Sequence, residues 1–303
     1  MDREQNKLKY IIFLILGIGI FTTYEVVCKT TVNYITSSQM TFYRFLIGGL
    51  CLLPVAINTL VKNHIKLTVK ELLSFCLFGL LLVVLSMNLS QKGLYLSNAS
   101  MTSIIFSSNP LMVTLFSIPI LREKATKSKF IGIFIGIAGL VITCLHLMVG
   151  NKVDADFIKG ILLIFLSMII FAFYTVINKK CALKCGTFVT IAFTDIFGAL
   201  FSIPIMIMRT EAGNPFSFDL MPILPQFLYI SIIGTGIAYY FYNEALAHLN
   251  TSAGSMSFFI KPGLAAILSA VILKETISAN IIVGIPVIIL GVFIAIKKPF
   301  DKK

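Results

Sequence analysis

The chain predicts an all-α integral membrane protein of ten transmembrane helices in two inverted five-helix repeats, and three observations carry that expectation. Hydrophobic residues make up 57% of its 303 positions and charged residues 13%, where a soluble domain carries about a quarter charged residues. Residues 98–142 align with 250–294 at an offset of 152 without a gap. Lys and Arg collect in alternate loops, as in a polytopic membrane protein.

The repeat rests on residues that shared hydrophobicity would not align. At offset 152 the identities include Asn98/Asn250, Ser103/Ser255, Phe106/Phe258, Pro110/Pro262, Glu123/Glu275, Gly132/Gly284 and Gly139/Gly291. At offset 150, Phe21, Tyr24, Val26, Lys29, Gly48 and Pro54 recur as Phe171, Tyr174, Val176, Lys179, Gly198 and Pro204. One unit is therefore written twice, as residues 1–150 and 151–303. Internal repeats of this size in a membrane protein point to transport.

Ten apolar spans follow in order: 10–28, 39–57, 71–90, 99–121, 130–149, 159–178, 187–208, 225–246, 252–273 and 280–296. Each approaches the 20 or so residues that a helix needs to cross a bilayer. The first is too long for a signal-peptide core and has no small-residue cleavage pattern after it. Spans 4 and 9 are rich in small residues, carry a central proline, and close on Leu-Arg-Glu (121–123) and Leu-Lys-Glu (273–275). Span 7 is interrupted by Asp195, and spans 5 and 10 carry glycines suited to helix–helix contact or to the seam of a homodimer. The loops are short, marked by Gly, Pro, Asn, Ser and charge, and leave no room for a soluble domain.

With the N-terminus inside, the inner segments hold seventeen Lys and Arg and the outer loops six, while Arg44 and Lys261 lie within spans. That bias places both termini in the cytoplasm, with the chain multi-pass in the cell membrane. An odd number of spans per repeat forces the second repeat to enter the membrane in the opposite sense. Two inverted halves can rock about a midplane site.

Phe21 to Lys29, Arg44 on span 2, and the doubled small-residue, proline, glutamate span with its Gly-rich successor resemble the EamA-type drug/metabolite transporter superfamily over almost the whole chain. The resemblance implies a central cavity among spans 1–4 and 6–9, peripheral spans 5 and 10, and secondary transport of small metabolites such as amino acids, often export. Family members often carry Trp in span 1; here Phe21 stands there and the chain has no Trp.

Ionisable groups within a bilayer are costly and mark function. Lys261, nine residues into span 9 and followed by Pro262, lies near mid-depth beside a helix break. It can receive an anionic or zwitterionic small molecule, or serve as one half of a structural pair. Its repeat mate Asn109, before Pro110, offers neutral hydrogen bonding. Asp195 can pair with Lys261 or carry a coupling proton or ion. Glu25 and Arg44, near the outer ends of spans 1 and 2, are expected to form an ion pair serving as gate or strut, with an i, i+4 contact from Glu25 to Lys29 as the alternative. Glu244, four before His248, reads as a solvated interfacial group. Among the aromatics, Tyr174 and Tyr239 are the substrate-contact candidates, with Tyr240, Phe241, Tyr242, Phe258 and Phe259 behind them.

No paired aspartates, buried Ser–His combination, zinc spacing or phosphate loop occurs, so the chain reads as no enzyme, with no cofactor and no metal. The six cysteines read as reduced thiols. The net charge of +12 follows loop orientation rather than nucleic-acid binding. A channel-like facilitative permease and a lipid or lipid-linked substrate translocase stay open beside the transporter reading.

Overall fold

The computed structural model describes residues 2–124, 126–150, 154–209, 216–264, 268 and 279–296. Glu275, with Leu273 and Lys274, lies outside them, as does the side chain of His146. All regular structure among the described residues is helical. Seven stretches are long and apolar enough to cross a membrane: Leu8–Lys29, Ser37–Lys62, Val69–Leu96, Met101–Leu121, Ala155–Cys185, Thr187–Met208 and Met221–His248. Helices Lys127–Gly150 and Ala279–Ile296, and a broken run opening with Thr251–Ser255, supply spans 5, 10 and 9. The protein is thus a multi-pass membrane protein of helices alone, the simplest way to satisfy every backbone group in lipid.

Several helices outrun the apolar stretches that predict them. Span 6 starts at Ala155 because the Asp154 side chain accepts from Phe157 N at 2.7 Å, and it ends at Gly186, whose φ of +90° stops the helix. Span 7 begins one residue later and continues unbroken through Asp195.

Contacts at the helix ends display the inversion. At the end where span 1 begins, the N-terminal end, Tyr10 stacks on His248 with centroids 4.3 Å apart, so span 1 starts where span 8 finishes. At the far end, Gln39 Nε2 donates to Ser217 O (3.0 Å) and Tyr43 OH to Phe216 O (2.7 Å), tying the entry of span 2 to the loop before span 8. The repeat mates Lys29 and Lys179 do the same work at opposite ends. Lys29 Nζ donates to the carbonyls of Leu94, Tyr95 and Ser97, while Lys179 Nζ donates to Leu249 O and Thr251 Oγ1. Each caps the last carbonyls of the third helix of its repeat, where a cation suits the helix dipole.

Spans 3 and 8 share a second device. Each widens into a π-helix, over Leu80–Met87 and Tyr229–Ile237. In both, a side chain supports the loosened carbonyls: Asn88 Nδ2 donates to Val83 O at 3.1 Å, and Thr235 Oγ1 to Ile230 O at 2.9 Å. Such widened turns are frequent at functional sites.

The helices approach through glycines. A Cβ on Gly79 of span 3 would meet the backbone N of Gly198 on span 7 at 2.6 Å, and one on Gly48 of span 2 would meet Ser231 O on span 8 at 2.9 Å. Gly48 and Gly198 are repeat mates, so one close contact is used twice. Spans 5 and 10 also pack on each other through glycine: Gly139 faces Gly284 O and Gly291 faces Gly132 O and Gly136 N. These glycines are consumed within one chain, so they do not form the homodimer seam considered from sequence.

Gly79→Ala should lower stability by roughly 1–3 kcal/mol, because backbone on both sides leaves the methyl no room. Gly19→Ala, with nothing within 4 Å of the added Cβ, should leave it unchanged or raised. Thermal unfolding of the detergent-solubilised protein reads both.

Candidate functional site

Spans 4 and 9 break at matching places. Helix Ala99–Phe106 ends in a turn at Ser107 and Ser108, and a new helix, Asn109–Leu121, starts with Pro110 in its first turn. In span 9, helix Thr251–Ser255 tightens to a 3₁₀ stretch, Met256–Ile260, and helical turns resume at Lys261 and Pro262. Proline has no N–H to give the preceding turn, so both helices are free to re-aim there.

The re-aimed Lys261 turns to span 1. Its Nζ lies 2.6 Å from Glu25 Oε1, and the two residues are 2% and 4% exposed. The expected Lys261–Asp195 pair does not form. Asp195 is carried by span 7 against Gly49 of span 2, away from the seam between spans 1 and 9. The expected Glu25–Arg44 pair is absent among the described residues for a related reason. Glu25 is taken by Lys261, and the Arg44 guanidinium lies over the rings of Tyr24 (4.7 Å) and Phe45 (4.5 Å) instead. Nor does Glu25 meet Lys29, whose ammonium is committed to carbonyls of span 3.

Glu25, Arg44 and Lys261 line one cavity with about 390 Å³ of unfilled space, counting its mouth. Its walls are aromatic: Phe21, Tyr24, Phe106, Phe171, Tyr239 and Phe258. Lys261 Nζ sits 5.3 Å from the ring centres of both Phe106 and Phe258. Met87, Ser90 and Gly234 complete the lining, from the π-helical region of spans 3 and 8. The mates Phe21 and Phe171, Phe106 and Phe258 form an aromatic cross at the centre, with centroids 6.3 Å (Phe21–Phe258) and 5.9 Å (Phe106–Phe171) apart. Two cations, one acid and flat apolar walls suit a small zwitterion or anion with an apolar body.

The other sequence candidates divide. Tyr239 reaches the cavity, its hydroxyl 3.1 Å from Met87 Sδ, while Tyr174 and Asn109 are buried behind it, their polar atoms without a hydrogen-bond partner among the described residues. Tyr240 stacks on Phe188, Phe241 on Phe13, and Phe259 covers Gly136, so these three pack rather than line. Glu244 lies 3.6 Å from His248 near the surface. Ser90, Met87 and Gly234 were not foreseen. Carrying offset 152 upstream of residue 98 would have found Ser90, because Tyr242 stands at its mate and fills there the space that Ser90 leaves empty.

Glu123 turns out to hold the N-terminal end together. Its carboxylate accepts from Thr251 N (2.8 Å), Ser252 N (3.2 Å) and Ser252 Oγ (2.7 Å), capping span 9, with Lys129 and Lys179 at 3.8 and 4.0 Å. Burial pushes this carboxyl up, but the bonds from Ser252 and Thr251 and the Lys179 charge outweigh it, holding Glu123 below its ordinary value.

A profile of the EamA-like transporter family matches residues 8–145 and again 158–297. An uncharacterized transporter of Clostridium kluyveri is 30% identical over 92% of this chain and 90% of its own length. One of Acidianus ambivalens is 32% identical over 86% and 94%. An S-adenosylmethionine uptake transporter of Rickettsia prowazekii is 24% identical over 74% and 72%. A solved crystal structure of an 18% identical chain shares the fold, with a TM-score of 0.72 over 94% of this chain and 96% of that one.

Two expectations follow from the site. Lys261→Met leaves the Glu25 carboxylate buried and alone, which costs about 3–5 kcal/mol, and adding Glu25→Gln should restore much of the loss in thermal unfolding. Glu123→Gln should destabilise in a pH-dependent way. The native carboxyl binds its proton less readily folded than unfolded, so its contribution is complete above the ordinary carboxylate value of about 4.3. As pH falls through the lower folded value, the advantage of wild type over Glu123→Gln in melting temperature should vanish.

Proposed function

We propose that this chain, which belongs to the EamA-like transporter family, is a secondary transporter that exports small zwitterionic metabolites such as amino acids by alternating access. The observation that carries this reading is the Glu25–Lys261 pair, held against Arg44 on the wall of an aromatic cavity. An α-amino acid presents an ammonium and a carboxylate a few ångströms apart. Glu25 receives the first, and Lys261 with Arg44 the second, so substrate replaces one buried ion pair by two and the desolvation is shared. The apolar body of the substrate lies on Phe106, Phe171 and Phe258, with Tyr239 closing the wall. The relative named for uptake of S-adenosylmethionine handles a molecule that carries such a head group and a flat ring, which agrees with this chemistry.

The loop charges favour both termini in the cytoplasm of a cell-membrane protein. The cavity then lies in the outer half, between spans 1, 2, 3, 8 and 9. The residues around the Glu123 cap seal the inner side. Residues 1–150 and 151–303 are the two units that rock, the broken turns at Pro110 and Pro262 supply compliance, and the glycine contacts between spans 2 and 8 and spans 3 and 7 are the surfaces that slide.

Proteoliposomes test the reading with radiolabelled L-phenylalanine, assayed by counterflow and by accumulation against a gradient. Counterflow well above protein-free liposomes is expected. Glu25→Gln and Lys261→Met should each cut it by about tenfold or more, the usual cost of losing one buried charge contact to a ligand. Accumulation against a gradient distinguishes a carrier from a channel-like permease. Failure of phenylalanine and other zwitterions to compete, with transfer of a fluorescent lipid instead, would move the function to lipid translocation.

A further inference from the structure

The inner half of the molecule holds buried side-chain polar atoms without a well-formed hydrogen bond among the described residues. Asn109, Tyr174, Thr194 and Tyr242 each keep side-chain polar atoms without a hydrogen-bond partner, and both carboxylate oxygens of Asp195 are in the same state. Asp195 is 0% exposed and has no ion pair within 4 Å among the described residues. Interiors rarely leave such groups orphaned, and five around one region need a cause.

The repeat supplies it. Asn109, Tyr174, Thr194 and Tyr242 are the mates of Lys261, Tyr24, Arg44 and Ser90, and those four line the outer cavity. The buried four therefore mark the inverted image of the cavity, and in the cavity itself Glu25 and Arg44 each keep one unpartnered atom as well. In the alternating access proposed above, these groups meet water or substrate in the opposite state.

Asp195 is the one acid of this closed image, and its own mate, Phe45, is apolar, so the charge has no counterpart in the outer half. We propose that Asp195 is a proton-exchange site, loaded with a proton from the water of the outer cavity while the inner side is closed and emptied to cytoplasmic water when the inner vestibule opens; the sidedness rests on the orientation and alternating access proposed above. The groups that face it are Arg44 from span 2, Tyr174 from span 6 and Tyr239 from span 8. A bare carboxylate in this position, with neither hydrogen bond nor paired cation, carries a desolvation cost that a proton removes. On opening, the proton passes to water and the remaining negative charge faces Arg44 in a hydrated cleft. A metal cation suits the site less, since the oxygens around it are one carboxylate and isolated hydroxyls, short of the six or more that hard cations take.

Infrared difference spectra of the reconstituted full chain, titrated in pH without substrate, test the assignment. Wild type should show the C=O stretch of a protonated carboxyl at neutral pH. Asp195→Asn should lose that band, and Asp195→Glu should move it. No difference between wild type and Asp195→Asn, or a wild-type band that sodium abolishes at constant pH, overturns the proposal. Should Asp195→Asn fail to fold, the shift in Asp195→Glu decides alone. In transport, Asp195→Asn should retain phenylalanine counterflow and lose accumulation driven by a pH gradient. Accumulation that survives in Asp195→Asn would overturn the coupling role. Absence of counterflow in wild type would strike the substrate reading and leave the infrared result standing.

Discussion

A lysine at the middle of a bilayer needs a partner, and the rest of the site depends on how that need is met. Lys261 reaches Glu25, on a helix 236 residues away in sequence, at 2.6 Å. That reach requires span 9 to stop being a regular helix, which Pro262 and the 3₁₀ stretch before it allow. It also requires spans 1 and 9 to be neighbours, which brings Phe21, Phe106 and Phe258 into one wall. Once Glu25 is occupied, Arg44 forms no ion pair within 4 Å among the described residues and rests on aromatic faces, where a guanidinium is stabilised without a full counter-ion. An ammonium paired with a carboxylate and a guanidinium resting on aromatic rings thus share one space.

The two repeats share a frame and differ around the cavity. Where they agree, the shared residues build the frame: Lys29 and Lys179 cap helix ends, Gly48 and Gly198 set close approach, and the four phenylalanines cross at the centre. A second agreement needs no identical residues. Gln91 donates to Cys28 Sγ in one half and Asn178 donates to Asn243 Oδ1 in the other, so the same two helices are bridged with different chemistry. At four places where the repeats disagree, one mate lines the cavity and the other does not. Glu25, Arg44, Lys261 and Ser90 face the cavity, and Thr175, Thr194, Asn109 and Tyr242 stand in their places in the other half.

The asymmetry shows in the packing, where Glu25, Arg44, Lys261 and Ser90 line a cavity and their mates Thr175, Thr194, Asn109 and Tyr242 are buried. Tyr242 stands where Ser90 leaves space in the other half, and its buried hydroxyl lies beside Asn109 and Thr175.

The chain by itself determined the class, the ten spans, the inverted repeat, the places where spans 4 and 9 break, and which ionisable residues lie within spans. These are one-dimensional properties: length, hydropathy, proline position and the count of helices between repeats. Which charge meets which was decided only by tertiary structure, and both pairings expected from depth alone, Lys261 with Asp195 and Glu25 with Arg44, were replaced. Depth along a helix follows from residue number, but a span that is apolar on every side carries no stripe to tell which face turns inward. Rotation about each axis is set by glycine contacts and ring packing between helices far apart in sequence. For the same reason the π-helical turns of spans 3 and 8 left no mark in the residues, since they arise from how those helices must bend around their neighbours.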